Sequence, residues 1–263
     1  MRLTKHHGWG NDFLVLIDAD DGVVLDEETA RAWCDRRRGV GADGVIRVTV
    51  PGDGADLAME LRNADGSRAE MSGNGIRCVA QAAWRAGVVA GPAFTVATDA
   101  GLRTVEVEGD PSAAIVQVRV DMGPAGDGDP AWADVVGPDG HGAQKVATLD
   151  LGNPHVVLLY GDAVARDTAV AAAPVGAPVN LEYVLAGPEP DALAMRVVER
   201  GVGETEACGT GAVAVAVAGR AWGLVGDRVV VHQPGGDAVV EIGATITLVG
   251  PATYVATVEV PWP

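Results

Sequence analysis

Apolar runs of strand length recur along the chain, separated by turns rich in Gly, Asp and Pro. Phe13-Leu14-Val15-Leu16-Ile17-Asp18 predicts a short buried strand, and residues 26–35 suit a helix with Asp26 as N-cap. Residues 45–50 and 58–63 predict two further strands, the second closed by an Ala64-Asp65-Gly66 turn. An alanine-rich stretch with helical character follows at residues 76–85, then strands near 94–98, 103–108 and 115–121. Residues 123–142, rich in Gly, Pro and Asp, read as a loop. Beyond it strands are expected at 146–150, 155–160, 180–184 and 194–199. A second alanine-rich helical stretch occupies residues 212–222, and strands close the chain. The order strands, helix, strands therefore occurs twice and predicts an α+β chain of two similar halves, divided near Val120.

Each helical stretch opens on a related motif. Met71-Ser72-Gly73-Asn74-Gly75 and Ala207-Cys208-Gly209-Thr210-Gly211 lie 136 residues apart, counted from Ser72 to Cys208. Each places a small OH- or SH-bearing side chain directly before a Gly-x-Gly turn. A helix opened in this way exposes backbone N–H groups at its positive end, a ready site for a carboxylate. Two openings, each with its own proton-carrying side chain, are what a racemase or epimerase needs to address two faces of one carbon without a cofactor. One base removes a weakly acidic α-proton, an acid on the other face returns one, and N–H donors stabilise the charge that develops on the carboxylate. A thiol suits this work, since its pKa of about 8.5 leaves some thiolate at neutral pH and a helix N-terminus is expected to lower it. Cys208 stands at such a start, with Glu199-Arg200-Gly201-Val202-Gly203-Glu204-Thr205 close before it.

At 263 residues and 48% hydrophobic content the chain can bury a sizeable core, and with 4% aromatic residues that core must be built from Val, Ala, Leu and Gly. The net charge of −17 argues against nucleic acid and anionic membranes as partners. An anionic substrate must therefore be held by local helix ends and arginine. No apolar run reaches about 18 residues and no basic-then-apolar leader opens the chain, so a cytoplasmic location is expected. Cys34, Cys78 and Cys208 have no metal-ligand spacing, and free thiols and no metal are expected. Gly39-Val40-Gly41-Ala42-Asp43-Gly44 fits the dinucleotide pattern G-x-G-x-x-G, but a basic run precedes it and a strand follows, so it reads as a loop and nucleotide binding is not expected.

These residues together resemble the diaminopimelate epimerases, a family of two-base epimerases that work without pyridoxal phosphate. The likeness spans most of the chain. It runs through Gly10-Asn11-Asp12-Phe13, the loop 39–44, Asn63-Ala64-Asp65-Gly66-Ser67 and Gly73-Asn74-Gly75-Ile76-Arg77-Cys78. It continues in Gly152-Asn153-Pro154-His155, Asn180, Glu199-Arg200-Gly201 and Ala207-Cys208-Gly209-Thr210-Gly211, the last being the most diagnostic. The resemblance implies two pseudo-symmetric α+β domains, each a curved, mostly antiparallel sheet around a central helix, with the site in the cleft between them. The domains would be residues 1–119 plus 252–263, and residues 120–251. It implies a substrate of the amino-acid type, no cofactor, no metal and a homodimer. Asn11, Asn63, Asn153, Asn180, Glu199 and Arg200 would hold the substrate. Gly73-Asn74 and Gly209-Thr210 would present N–H groups to its carboxylate. Cys208 and residue 72 would be the acid/base pair, supported by His155 and Glu199.

Ser72 departs from the family pattern, which has its first catalytic cysteine directly before Gly-Asn-Gly. Cys78 is no substitute, because a helix rises 1.5 Å per residue and six residues place it nearly two turns further in. Cys78 and Cys34 read as core residues. A hydroxyl is much less acidic than a thiol, and three readings follow. Cys208 and Ser72 epimerise as a pair, with the serine relaying its proton through His155. Alternatively Cys208 acts as sole base, in a related racemase or dehydratase of another amino acid. In the third reading Ser72 is an introduced substitution or marks a catalytically impaired amino-acid-binding paralogue.

Overall fold

The computed structural model describes residues 1–69, 71–137, 140–174 and 176–261. The chain divides into one unit of residues 1–121 and 250–263 and a second of residues 122–249. Pro138 and Asp139 of the expected loop, and Trp262 and Pro263 of the expected tail of the first domain, lie outside the described residues.

The first unit runs β1 (Arg2–Gly8), β2 (Asn11–Ile17), α1 (Glu27–Cys34), β3 (Gly44–Thr49), β4 (Leu57–Asn63), β5 (Arg68–Ala69), α2 (Gly73–Ala86), β6 (Ala93–Thr98), β7 (Gly101–Glu108) and β8 (Ile115–Asp121). After β9 (Gly126–Asp127) the second runs β10 (Lys145–Asp150), β11 (Pro154–Leu159), α3 (Ala163–Ala171), β12 (Asn180–Ala186), β13 (Ala192–Glu199), β14 (Gly203–Thr205), α4 (Gly209–Ala221), β15 (Arg228–Gln233), β16 (Gly236–Ile242) and β17 (Ile246–Glu259). The two orders match element for element. So do the pairings: β2–β3 and β4–β6 are parallel in the first unit, β11–β12 and β13–β15 in the second, and their neighbours are antiparallel. Strand β17 serves both units. It pairs with β16 as far as Val249, and beyond Gly250 it pairs with β1.

Each unit is a curved, mostly antiparallel sheet around a helix. Helix α2 packs on β1, β2, β7 and β8, and α4 on β11, β13, β15 and β16. Both are buried along nearly their whole length, as a helix enclosed by a sheet must be. The Val and Gly residues of α4 are weak helix formers, so enclosure as well as the propensity of its alanines holds it.

The two central helices open on the Gly-x-Gly motifs, at Gly73 and Gly209, with Ser72 and Cys208 as caps and the glycines in the first turn. Other expectations are corrected. The segment 123–142 is not all loop: it holds β9 and two 3-10 turns, Pro130–Val136 and Gly140–Gly142, the first capped by Asp129. Strands β1, β5 and β14 and helix α3 are additional elements. The loop 39–44 does precede a strand rather than a helix, and no helix among the described residues is long and apolar enough to cross a membrane.

Candidate active site

The functional side chains gather at the starts of α2 and α4. In the first unit the register aligns Phe13 with Gly44 and Gly44 with Asn63, so Asn11 and Asn63 lie at one end of the sheet. Ser72 is in extended backbone, φ −137° and ψ 119°, and its Oγ accepts a hydrogen bond from Gly75 N at 3.0 Å. That bond is an ordinary N-cap and satisfies one of the helix's unpaired N–H groups. A Cβ on Gly75 would lie 3.0 Å from Ile46 Cδ1, so the turn sits directly on the sheet below.

Asn74 and Asn11 are held by a directed chain. Arg77 Nη2 donates to Asn74 Oδ1 at 2.9 Å, Asn74 Nδ2 to Asn11 Oδ1 at 3.1 Å, and Asn11 Nδ2 to Asp43 Oδ2 at 2.9 Å. Guanidinium only donates and carboxylate only accepts, so the two ends fix which way both amides face. Arg77 is fully buried, with donations to Gly73 O and Pro251 O and its guanidinium 3.8 Å above the Trp9 ring. Arg36 bridges Asp43 and Asp12, and Lys5 joins Asp12 at 2.8 Å. Although burial opposes it, hydrogen bonds from Arg36 and Lys5 hold the Asp12 carboxyl down at about 2. Asn63 stands apart from this chain, its Nδ2 donating within its own turn to Ser67 Oγ at 3.1 Å.

In the second unit β11 aligns His155 with Asn180, and the β12–β13 register of Leu181 with Val198 brings Asn180 and Glu199 to the same end. Cys208 repeats the geometry of Ser72, with φ −130° and ψ 117° and Sγ accepting from Gly211 N at 3.3 Å. Its own N–H donates to Gln233 Oε1 at 2.8 Å, and Thr210 Oγ1 lies 3.4 Å from the sulfur. Asn180 is pinned by donation to Pro154 O and by acceptance from Arg200 N, each at 3.0 Å. Asn153 Nδ2 lies 3.3 Å from Thr210 Oγ1 and its Oδ1 3.0 Å from His155 Nε2. The other ring nitrogen of His155 is 2.7 Å from Glu182 Oε1, and both side chains are completely buried.

The electrostatics of Cys208 reverse the expectation. Its thiol is pushed well above its ordinary value by burial first, then by the charges of Glu199 and Glu182; the Thr210 and Gly211 hydrogen bonds pull the other way without prevailing. Helix-end activation is outweighed because the sulfur is nearly sealed from water and faces carboxylates. Glu199 is raised as well, chiefly by burial, against hydrogen bonds from Thr205 and Cys208. The Glu199 charge raises the Cys208 thiol, while the thiol's hydrogen bond lowers the Glu199 carboxyl. Both effects suit a thiol that donates to a carboxylate, which makes Glu199 a natural acceptor for the proton of Cys208.

The structure thus brings together Ser72, Gly73, Asn74 and Asn11 in one unit, and Asn153, His155, Asn180, Glu199, Cys208, Gly209 and Thr210 in the other. Sequence reasoning missed Glu182, Gln233, Thr205, Asp43 and the buried Arg77. Glu182 carried a usable signal, as a lone charge inside the apolar run 180–184. Cys34 and Cys78 are buried free thiols, both pushed up to about 12 by burial. Among the described residues no group of His, Cys, Asp and Glu is placed to hold a metal ion.

Comparison with known proteins matches the diaminopimelate epimerase family model over residues 3–126 and 147–255. Diaminopimelate epimerases of Mycobacterium tuberculosis and Mycobacterium bovis are 40% identical over 97% of this chain and 96% of their own length. That of Mycobacterium leprae is 41% identical over 97% and 95%. Among solved structures, a predicted epimerase from Pseudomonas aeruginosa superposes with a TM-score of 0.75 at 15% identity, covering 100% of this chain and 99% of that one. A hydroxyproline epimerase from Agrobacterium vitis gives 0.69 at 18% identity over 98% and 91%. At these identities the structural likeness speaks for the fold.

Proposed function

The chain belongs to the diaminopimelate epimerase family, and on that premise we propose that Cys208 and Ser72 are the two acid/base groups of its reaction. That reaction is the epimerisation of LL-2,6-diaminopimelate to the meso isomer, a step in lysine and peptidoglycan precursor synthesis. One group removes the α-proton and the other delivers a proton to the opposite face, while the electron pair is held as charge on the adjacent carboxylate. The first-turn N–H groups at Gly73-Asn74 and Gly209-Thr210 would receive that carboxylate. Asn11, Asn63, Asn153, Asn180, Glu199 and Arg200 would hold the rest of the amino acid.

The observation that carries this reading is the setting of Cys208. Its sulfur caps a buried helix, takes an N–H hydrogen bond from Gly211, and contacts Glu199 as a proton acceptor. A purely structural cysteine has no use for that company. The test is alkylation of Cys208 with and without diaminopimelate. Protection by the substrate supports the assignment; labelling at the same rate with saturating substrate removes Cys208 from the site.

Both ring nitrogens of His155 are already engaged, by Glu182 and Asn153. We therefore assign His155 to the support of Cys208 rather than to a relay from Ser72. A one-sided reaction with Cys208 as sole base is the second reading. It is favoured by the apolar Phe13 and Ile46, which hold in the first unit the register positions of His155 and Glu182. We also assign a cytoplasmic homodimer without nucleic-acid or membrane partners, on the strength of family and acidity; light scattering of the purified protein tests the dimer.

A further inference from the structure

Glu182 lies in the middle of β12, where Asn180, Leu181, Tyr183 and Val184 are all buried, and it is itself 0% exposed. Its Oε2 has no hydrogen-bond partner among the described residues. A sealed carboxylate with an idle oxygen is unfavourable. The fold does not require it, since Ile46 occupies the matching place in the first unit. A Cβ on Gly211 would lie 2.9 Å from Glu182 Oε1, so the start of α4 is packed directly onto this carboxylate. That packing sets Glu182 beneath the helix start that Cys208 caps, and the idle oxygen marks it as a group the fold alone does not explain.

The hydrogen bonds between them form one path. Glu182 Oε1 is 2.7 Å from His155 Nδ1, and His155 Nε2 is 3.0 Å from Asn153 Oδ1. Asn153 Nδ2 is 3.3 Å from Thr210 Oγ1, and Thr210 Oγ1 is 3.4 Å from Cys208 Sγ. A carboxylate only accepts hydrogen bonds, and so does a thiolate. With acceptors at both ends, one arrangement serves both. That arrangement takes a ring with a proton on each nitrogen, its charge balanced by the Glu182 carboxylate. It donates from Nδ1 to Glu182 and from Nε2 to Asn153, Asn153 donates to Thr210, and Thr210 donates to the sulfur. If the ring stops donating from Nε2, the Asn153 amide must turn round. Thr210 then donates to Asn153 and the sulfur loses its side-chain donor.

We propose that Glu182 is a positioning residue for the reaction: acting through His155, Asn153 and Thr210, it aims the Thr210 hydroxyl at the Cys208 thiolate. This rests on reading Cys208 as an acid/base group, but not on which amino acid is turned over. As a charge alone Glu182 does the opposite, because a nearby anion disfavours the thiolate. The two roles therefore predict opposite outcomes when the carboxylate is removed.

The test is the pH dependence of Cys208 alkylation by iodoacetamide in the full-length protein, located by peptide mass spectrometry. It reports ionisation of the sulfur whether or not diaminopimelate is epimerised, so loss of this proposal and loss of the assigned function are read separately. Glu182→Gln removes the charge that balances the second ring proton, so the ring keeps one N–H, Nε2 need no longer donate to Asn153, and alkylation at a given pH should slow several-fold. Thr210→Val should slow it similarly, Thr210→Ser should retain the rate, and the Glu182→Gln/Thr210→Val pair should be no slower than the slower single variant. An unchanged or faster rate in Glu182→Gln overturns the proposal, as does full additivity in the pair. If Glu182→Gln does not fold by circular dichroism, Glu182→Ile takes its place with the same expected slowing and the same overturning result.

Discussion

Ser72 and Cys208 begin their helices with nearly the same backbone, φ −137° and ψ 119° against φ −130° and ψ 117°, and each accepts from the N–H three residues on. What lies beneath them differs. Under α2 the sheet presents Ile46 to Gly75, whereas under α4 it presents Glu182 to Gly211, with His155 bonded to Glu182. The polar chain of the first unit runs from Arg77 through Asn74 and Asn11 to Asp43 and leaves Ser72 with a plain cap bond. That of the second ends on the sulfur. A repeated scaffold has thus kept the helix start, which can bind a carboxylate, and varied the floor below it, which governs the proton. The unit with the more acidic side chain also holds the buried pair His155 and Glu182.

Breaking the better-equipped unit should have the largest effect. Cys208→Ala is expected to reduce α-hydrogen exchange of diaminopimelate by about 10³-fold, read by loss of the proton signal in D₂O. Exchange surviving near the original rate would place the base elsewhere.

Making the second floor resemble the first comes next. The pair His155→Phe with Glu182→Ile should cut exchange about 10- to 100-fold. Its melting temperature should stay within a few degrees, because replacing a buried polar pair by packed apolar groups is often neutral for stability. A collapse of melting temperature together with activity would mean the pair serves the fold.

The comparison sharpens in the other direction with Ser72→Cys, which gives both helices a thiol. We expect the rate of isomer conversion to rise about tenfold, since a thiol ionises far more readily than a hydroxyl. A rate equal to that of Ser72→Ala would show that position 72 does not handle the proton.

The smallest effect concerns the charged buttress of the first unit. The Asp12 carboxyl is held at about 2, below its ordinary 3.8. A depressed carboxyl stabilises the fold above its unfolded pKa and loses that contribution as pH falls through the folded value. Asp12→Asn should therefore cost about 1–2 kcal/mol near neutral pH, with Arg36 half-exposed and screening reducing the figure. Denaturant melts of the two proteins should approach each other between about pH 4 and pH 2; a gap as large at pH 2 as at neutral pH would contradict the assignment.

Much of this was legible in the chain. Strands such as β2, β3 and β11 are short apolar runs bounded by turns, and their burial on both faces follows from packing between a helix and the rest of the core. The Gly-x-Gly openings marked both helix starts, although the run Ala212 to Ala218 alternates Ala and Val in a strand-like period and only the glycines and the cap argue for α4. Strand β1 was hidden because Arg2, Thr4, Lys5, His6 and His7 look exposed, yet His6 is fully buried against Gln81. Helix α3 was hidden by small residues that give it a weak apolar stripe, with only the Asp162 cap to announce it. Within the site, residues attached to glycine turns were visible, whereas Glu182 showed only as a lone charge in an apolar run, with nothing to name its partner. Its partner His155 is 27 residues away in sequence, and only the parallel register of β11 and β12 brings them together. The direction of the Cys208 shift was misjudged for a related reason: a local motif shows the helix end but not the carboxylates that fold around it.

The most direct test of the account is proton NMR of meso-diaminopimelate with the purified protein in D₂O, following α-hydrogen exchange and the LL isomer together. The account predicts that both appear, with Cys208 and Ser72 each handling one face of the carbon. Exchange without LL product would contradict the pair and leave Cys208 acting alone, and no exchange at all would contradict the assignment of Cys208 itself.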